Sequence, residues 1–215
     1  MRVLVACEYS GTVRDAFIRA GHDAMSCDLL PTESDLGPHY QGDVFDVLHD
    51  GWDLMVAHPP CTYLTNAANG SLYRTEPSRN GALTGPARWA AMIEGASFFR
   101  QLLNAPIPRI AVENPVMNGY ARSIVGARPT QTVQPWMFGH TESKAVCLWL
   151  RNLPPLVATE DVKAAMLALP RAEWSKVHWA PPGADRSKIR SLFFTGIADA
   201  MAQQWGVESQ AEAVA

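Results

Sequence analysis

The sequence predicts a mixed α/β fold in which a mostly parallel, doubly wound sheet carries helices on both faces. Apolar runs of strand length alternate with amphipathic stretches of helical spacing, which is typical of parallel sheets. The first unit is complete, because an apolar run at residues 3–6 is followed by the turn Ser10-Gly11-Thr12 and by an amphipathic stretch at 13–20 that ends at Gly21. These three segments predict the first strand, turn and helix of the sheet.

The remaining elements follow from the same two patterns. Segments rich in apolar residues predict further strands at residues 23–27, 52–57, 109–112 and 145–150, and Gly42-Asp43-Val44 is expected near a third strand. Apolar residues at every third or fourth position predict helices at 87–103, 162–169 and 196–205. Residues 62–86 have little periodicity, and because a connection of this length is usually functional, we expect a mobile lid there.

Length and composition favour one globular domain. The 215 residues suit a single domain at 1–206, with a short basic insertion at 157–190 and a disordered tail at 207–215. The chain is 47% hydrophobic and contains neither an apolar run of membrane-spanning length nor a signal peptide, so we expect a cytoplasmic protein without a membrane partner. Four cysteines without a Cys-x-x-Cys pair and six histidines without metal-ligand spacing predict reduced thiols and no metal site.

The charge is unevenly distributed along the chain. The net charge of -3 argues against a strongly electrostatic nucleic-acid binder. Residues 1–50 hold nine acids and three bases, a balance of -6, whereas the rest of the chain has a balance of +3. The basic stretch around Arg186, Lys188 and Arg190 is either a phosphate-contacting surface or a solvated loop.

Cys61 is the strongest candidate for a catalytic side chain. It follows a predicted buried strand in the segment His58-Pro59-Pro60-Cys61. The two prolines cannot donate to a sheet ladder, so they predict a stiff loop at the carboxyl edge of the strand, where open α/β sheets bind ligands. Polar residues surround Cys61, whereas Cys7, Cys27 and Cys147 lie in or at the end of apolar runs and are predicted to be buried without chemistry.

A second group of residues suggests a nucleoside cofactor. The first turn lacks the G-x-G-x-x-G motif that cradles a pyrophosphate. Asp28 ends the second predicted strand and Asp43 lies near the third, and carboxylates accept hydrogen bonds from ribose hydroxyls and from the adenine amino group. The alternative, that each carboxylate caps a local turn, remains open.

Taken in order, Pro60-Cys61 and Glu113-Asn114-Pro115 resemble two motifs of the cytosine carbon-5 DNA methyltransferase family. The resemblance implies the Rossmann-like fold of methyltransferases that use S-adenosyl-L-methionine, with DNA as the partner. It implies a catalytic group that consists of Pro60, Cys61, Glu113 and Asn114. It also implies that the cofactor meets residues from the first three strands and the loop after the fourth, namely Cys7, Glu8, Tyr9, Ser10, Gly11, Asp28, Leu29, Asp43, Val44 and His58.

Substrate binding is assigned to basic residues, namely Lys144, Arg74, Arg79, Arg186, Lys188 and Arg190. Lys144 is the one cation in register with the Gln-x-Arg-x-Arg block of the family. Only some 40 residues separate the predicted strand at 145–150 from the predicted last helix, so the chain resembles a short family member without a separate target-recognition domain. Low sequence specificity is expected.

Three other functions are compatible with these residues. The same chemistry on a free cytidine nucleotide needs no recognition domain. His58-Pro59-Pro60-Cys61 also resembles the Pro-Pro-aromatic loop of amino-group DNA methyltransferases, although a cysteine cannot stack on a base as the aromatic residue does. The third function is a non-catalytic binding module with a cofactor-binding fold. Such a module would not need both a thiol and a carboxylate after neighbouring strands.

Overall fold

The computed structural model describes residues 1–76, 78, 81–176 and 193–207. Its strands are β1 (Arg2–Ala6), β2 (Asp23–Asp28), β3 (His39–Gln41), β4 (Leu54–Ala57), β5 (Arg109–Asn114), β6 (Gln131–Val133) and β7 (Val146–Arg151). The α-helices are α1 (Thr12–Arg19), α2 (Gly85–Leu103), α3 (Gly119–Val125), α4 (Lys163–Ala168), α5 (Arg171–Trp174) and α6 (Thr195–Trp205). Short 3-10 helices lie at Val44–Asp46, Asn66–Leu72 and Pro135–Met137.

The strands form one sheet in the order β3-β2-β1-β4-β5-β7-β6. The pairs from β3 to β5 are parallel, and β7 is antiparallel to both β5 and β6. This arrangement confirms the predicted α/β class with a mostly parallel sheet. The strand order reverses between β1 and β4, which are neighbours in the sheet, and ligands bind at such a point in open α/β sheets.

Both faces of the sheet are buried, as β1 illustrates. Leu4 and Ala6 pack in the core that contains α2 and α3, whereas Val3 and Val5 pack in the core that contains α1 and α6. All four side chains are fully buried. Because successive strand residues point to opposite faces, an uninterrupted apolar run is what a strand covered on both sides requires.

Most of the predicted elements are present within two residues of the expected bounds. Four short elements were not predicted, namely β3, β6, α3 and α5. The expectation of a strand at Gly42-Asp43-Val44 is wrong, because β3 ends at Gln41 and Asp43 instead caps the next 3-10 helix. Elements of three to seven residues are too short for a period of 2 or 3.6 to be read from the sequence.

The segment after Cys61 is more ordered than predicted. Leu64 and Leu72 are buried on either side of the 3-10 helix at Asn66–Leu72. The backbone N–H of Asn118 donates to the carbonyl of Leu64 at 2.7 Å, so this segment is fastened to the start of α3. Residues 62–86 therefore contain a short helix that the sequence did not indicate, and the mobile lid stays a prediction.

The end of β5 also differs from the prediction. The strand continues through Glu113 and Asn114, which pair with Leu148 and Cys147 of β7. The antiparallel neighbour supplies partners beyond the predicted end at residue 112, so both side chains have fixed orientations at the strand end. Among the described helices, none combines the length and apolar character that a membrane crossing needs.

Candidate active site

A cleft opens at the carboxyl edge of the sheet, where the segments after β1, β4 and β5 meet. It is lined by Cys7, Glu8, Tyr9, Ser10, His58, Pro59, Pro60, Cys61, Glu113, Pro115, Lys144 and Phe193. Nine of these residues are among those assigned to the site from the sequence. The structure therefore brings together predicted residues that are more than a hundred positions apart in the chain.

The loop that carries Cys61 is held at both ends. The backbone N–H of His58 donates to the carbonyl of Ala6 at 2.9 Å, which extends the pairing of β4 with β1 by one step. The carbonyl of Cys61 accepts from the N–H of Leu64 at 3.0 Å in a tight turn. Between these anchors, Pro59 and Pro60 restrict the backbone. The thiol is therefore presented from a stiff loop.

Asn114 supports this loop from beneath and does not line the cleft. Its side chain is fully buried, and its Nδ2 donates to the carbonyl of Pro59 at 3.2 Å. Its Oδ1 is buried without a hydrogen-bond partner among the described residues. The carbonyl of Pro59 lies beyond the paired residues of β4. Its hydrogen bond from the amide of Asn114 therefore fixes the loop relative to β5.

Glu113 and His58 form a pair at the centre of the cleft. His58 Nδ1 lies 3.4 Å from Glu113 Oε2, and the two side chains are only 13% and 12% exposed. The His58 ring packs edge-on against Phe193, with ring centroids 4.7 Å apart. Sequence analysis missed both this pair and Phe193, because nothing in the sequence indicates which residues of separate loops meet.

Glu8 occupies the N-terminus of α1. Its two carboxylate oxygens accept from the backbone N–H groups of Val13 and Arg14, at 2.7 and 3.1 Å, and Ser10 Oγ donates to it at 3.3 Å. The residue is 5% exposed. Since a helix N-terminus is the usual site for a phosphate, a carboxylate already placed there leaves no site for a cofactor pyrophosphate.

Cys7, Asp28 and Asp43 lie close enough to interact electrostatically. Burial raises the pKa of the Cys7 thiol well above its usual range, and the charges of Asp28 and Asp43 raise it further. One oxygen of each carboxylate caps a local turn, since Asp28 Oδ1 accepts from Leu30 N at 2.9 Å and Asp43 Oδ1 accepts from Phe45 N at 3.0 Å. The turn-capping alternative is therefore correct for one oxygen of each group.

Three other residues of the predicted cofactor site have different surroundings. Gly11 has a left-handed backbone (φ 76°), and a Cβ there would lie 2.6 Å from the guanidinium of the buried Arg14. This position therefore requires glycine for packing. Leu29 is 74% exposed, whereas Val44 is buried, and neither side chain lines the cleft.

The predicted substrate-binding residues are dispersed. Lys144 lines the cleft, and its ammonium lies 5.7 Å from the ring centroid of Phe194. Arg74 is exposed after the 3-10 helix at Asn66–Leu72 and does not line the cleft. Four further predicted residues lie outside the described part of the chain, namely Arg79, Arg186, Lys188 and Arg190. The structure describes no group of three or more metal-ligating side chains.

The four thiols are expected to differ in reactivity towards iodoacetamide, because only a thiolate is alkylated. Burial raises the pKa of Cys7, of Cys147 and of Cys27, the last to about 11 from an ordinary 9.0. A raised pKa keeps a thiol protonated to higher pH, so these three should remain unmodified at pH 7.5 and react slowly even at pH 9. Cys61 is half-buried in the cleft and should be labelled first.

Peptide mapping by mass spectrometry after a short exposure of the native protein measures this order. Unfolded protein, in which all four cysteines should react alike, is the control. Labelling of Cys7 before Cys61 would contradict the assignment of Cys61 as the accessible thiol of the cleft.

The chain is similar to known proteins in structure but not in sequence. The chain matches no protein-family model and no curated protein sequence. Among solved structures it is similar to a DNA modification methyltransferase that is described as encoded within an Escherichia coli prophage, with 14% identity, a TM-score of 0.45 and coverage of 80% of this chain and 56% of that one. It is also similar to a mutant of Spodoptera frugiperda DNMT2, with 14% identity, a TM-score of 0.41 and coverage of 74% and 53%. The chain thus spans little more than half the length of each of these two proteins.

Proposed function

We propose that this protein transfers a methyl group from S-adenosyl-L-methionine to carbon 5 of cytosine in DNA through a covalent adduct with Cys61. One observation carries the proposal: the thiol of Cys61 and the carboxyl group of Glu113 line the same cleft, at the switch point of the sheet. A nucleophile and a hydrogen-bonding acid on one cleft are the two groups that addition to a pyrimidine ring needs.

The residues around the cleft fit this cofactor. The helix N-terminus is filled by Glu8, which suits a nucleoside without a pyrophosphate. Asp28 and Asp43 do not line the cleft, but their charges act on Cys7, which does, and their carboxylates would accept from ribose hydroxyls and an adenine amino group. His58 Nε2 is buried without a partner among the described residues, so a polar group of a ligand would satisfy it. When bound, the cofactor supplies an electrophilic methyl group on a sulfonium.

Cys61 has the central role in the proposed reaction. Carbon 5 of cytosine is too weak a nucleophile to accept a methyl group directly. Addition of the Cys61 thiolate at carbon 6 places electron density on carbon 5 and makes it reactive. After methylation, loss of the carbon-5 proton to solvent expels the thiolate and restores the aromatic ring.

Glu113 and two neighbours assist this addition. Negative charge develops on the ring as sulfur adds, and a proton from Glu113 to ring nitrogen 3 neutralises it. Asn114 holds the Cys61 loop through the carbonyl of Pro59 and so keeps the thiol in position. Lys144 supplies a cation at the cleft for a base carbonyl or a phosphate.

Trapping with 5-fluorocytosine tests the proposal, because fluorine at carbon 5 blocks the final elimination. The protein is incubated with S-adenosyl-L-methionine and with one of three probes: duplex DNA, single-stranded DNA or a nucleotide, each containing the fluorinated base. Intact-mass spectrometry followed by peptide mapping should find an adduct on Cys61. DNA that contains ordinary cytosine and the Cys61→Ser variant are the controls.

The outcomes separate the competing functions. An adduct on Cys61 with either DNA probe supports the proposal, and the preferred probe identifies the form of DNA. An adduct with the nucleotide alone would replace DNA by a free cytidine nucleotide as the substrate. Methylated DNA without any adduct would indicate amino-group transfer, and no methylation with cofactor binding intact would indicate a binding module.

A further inference from the structure

The contact between His58 and Glu113 indicates how Glu113, the proposed acid of the cleft, obtains its proton. His58 lies in the loop after β4 and Glu113 lies near the end of β5, and Nδ1 of the imidazole is 3.4 Å from Oε2 of the carboxyl group. Both side chains are nearly buried. The His58 ring also packs against Phe193, and the backbone N–H of His58 donates to the carbonyl of Ala6, so both the ring and the backbone of His58 have fixed neighbours.

Glu113 has to be protonated at the moment of addition. A neighbouring group that supplies this proton, here called the proton store, is therefore needed. A carboxyl group in ordinary surroundings has a pKa of about 4.3 and is almost fully ionised near neutral pH. An imidazole, with an ordinary pKa of about 6.5, holds a proton up to a pH about two units higher than a carboxyl group does. Two such groups in contact titrate as a pair and can share a single proton.

We propose that His58 and Glu113 hold one proton between them and that His58 is the residue from which Glu113 recovers it. This inference rests on the proposed function of the site. Before addition, the pair is an imidazolium and a carboxylate. As the Cys61 thiolate bonds to carbon 6, the Nδ1 proton of His58 passes to Glu113, and Glu113 passes it on to ring nitrogen 3. The pair is left as a neutral imidazole and a carboxylate, and elimination of the thiolate returns the ring proton by the same route.

The net charge of the His58–Glu113 pair favours the state in which the pair holds one proton. That state has no net charge, so burying it costs less than burying either residue alone in its charged form. Among the described residues, the charged and titratable groups that face the cleft from other elements are Cys7, Glu8 and Tyr9 after β1, Cys61 after β4 and Lys144 before β7, and Cys147 of β7 lies opposite Asn114. Glu8 is held by the N-terminus of α1, which offsets much of its charge.

The second imidazole nitrogen of His58, Nε2, couples the protonation of the His58–Glu113 pair to ligand binding. Nε2 of His58 is buried and has no hydrogen-bond partner among the described residues. An imidazolium carries N–H groups at both nitrogens, so its Nε2–H is satisfied only when a ligand places an acceptor there. We expect the pair to hold its proton more firmly once the cleft is occupied.

The variant His58→Asn tests the proposal, because an amide still donates towards Glu113 but cannot hold a mobile proton. At pH 7.5 the rate of adduct formation with 5-fluorocytosine DNA should fall about 100-fold, as loss of a general acid does. The alkaline limb of the pH profile should move to lower pH by at least one unit. A loss of equal size at every pH would overturn the proposal and make His58 structural. His49→Asn, at an exposed position away from the cleft, is the matched control and should keep the wild-type profile.

Nitrogen-15 NMR of the histidine rings gives a second measurement that does not depend on activity. The His58 resonances should titrate at a lower pH in Glu113→Gln than in the wild type, because the carboxylate that favours the imidazolium is gone. Addition of S-adenosyl-L-methionine should raise the pH of the wild-type transition. If no adduct forms with 5-fluorocytosine while the His58 transition still differs between Glu113→Gln and the wild type, the proposed function is wrong but His58 and Glu113 do interact. If trapping succeeds and His58 titrates alike in both proteins, the proton store is wrong.

Discussion

Cys61→Ser should lower the rate of methyl transfer to cytosine-containing DNA by on the order of 10⁴-fold or more, since loss of a covalent nucleophile has effects of this size. A serine hydroxyl remains protonated at neutral pH and cannot add to carbon 6 as a thiolate does. The variant should still bind S-adenosyl-L-methionine with an affinity within about threefold of the wild type, because the thiol acts on the base. Single-turnover methylation and isothermal titration with the cofactor measure the two quantities.

The matched control is Cys147→Ser. Cys147 is buried, and its sulfur accepts from the Thr132 hydroxyl at 3.5 Å, a contact that a serine oxygen can keep. This variant carries the same chemical change next to β5 but outside the cleft lining, and its rate should stay within a few-fold of the wild type. Comparable losses in both variants would mean that the effect at Cys61 comes from folding, and normal turnover in Cys61→Ser would remove it as the nucleophile.

Glu113→Gln should slow methyl transfer by about 10² to 10³-fold, the usual effect of removing a group that neutralises charge in the transition state. The glutamine side chain has the same shape and can still form hydrogen bonds, but it has no proton to give to ring nitrogen 3. The loss should appear in the single-turnover rate, whereas the affinity for the cofactor should be nearly unchanged. Rapid-quench measurements on 5-fluorocytosine DNA isolate this step from product release.

Glu94→Gln provides the comparison for this change. Glu94 is an exposed residue of α2, and the substitution there removes one charge of the same kind away from the cleft. Its methyl-transfer rate should equal that of the wild type within about twofold. A loss smaller than about tenfold in Glu113→Gln would show that Glu113 has a structural role, such as holding His58 in place.

The architecture was largely predictable because parallel strands buried on both faces have a clear sequence signature. The runs at 3–6, 54–57 and 110–112, within β1, β4 and β5, contain only apolar residues, so the number and order of these strands are evident along the chain. The short strands β3 and β6 have no such signature, because each contributes three residues at an edge of the sheet. Their position is set by pairing with a neighbour and not by their own composition.

The site was predictable to the extent that it depends on strand ends. Cys61 and Glu113 lie at the ends of neighbouring parallel strands, and parallel strands in register must bring their carboxyl ends to the same edge. The role of Asn114 was not predictable. Its position as the last residue of β5, with its amide directed to the carbonyl of Pro59, depends on the antiparallel pairing with β7, which the sequence does not reveal.

The sequence by itself determined the class of fold, the loops that carry reactive groups and the absence of a glycine-rich pyrophosphate loop. These features are local, because each follows from the composition and spacing of a few consecutive residues. The tertiary structure alone decided that Glu8 caps α1, that Asn114 supports the Cys61 loop and that His58 meets Glu113. Asn114 and His58 each meet a residue 55 positions away in the chain, and even the local contact of Glu8 with α1 depends on how the turn after β1 orients its side chain.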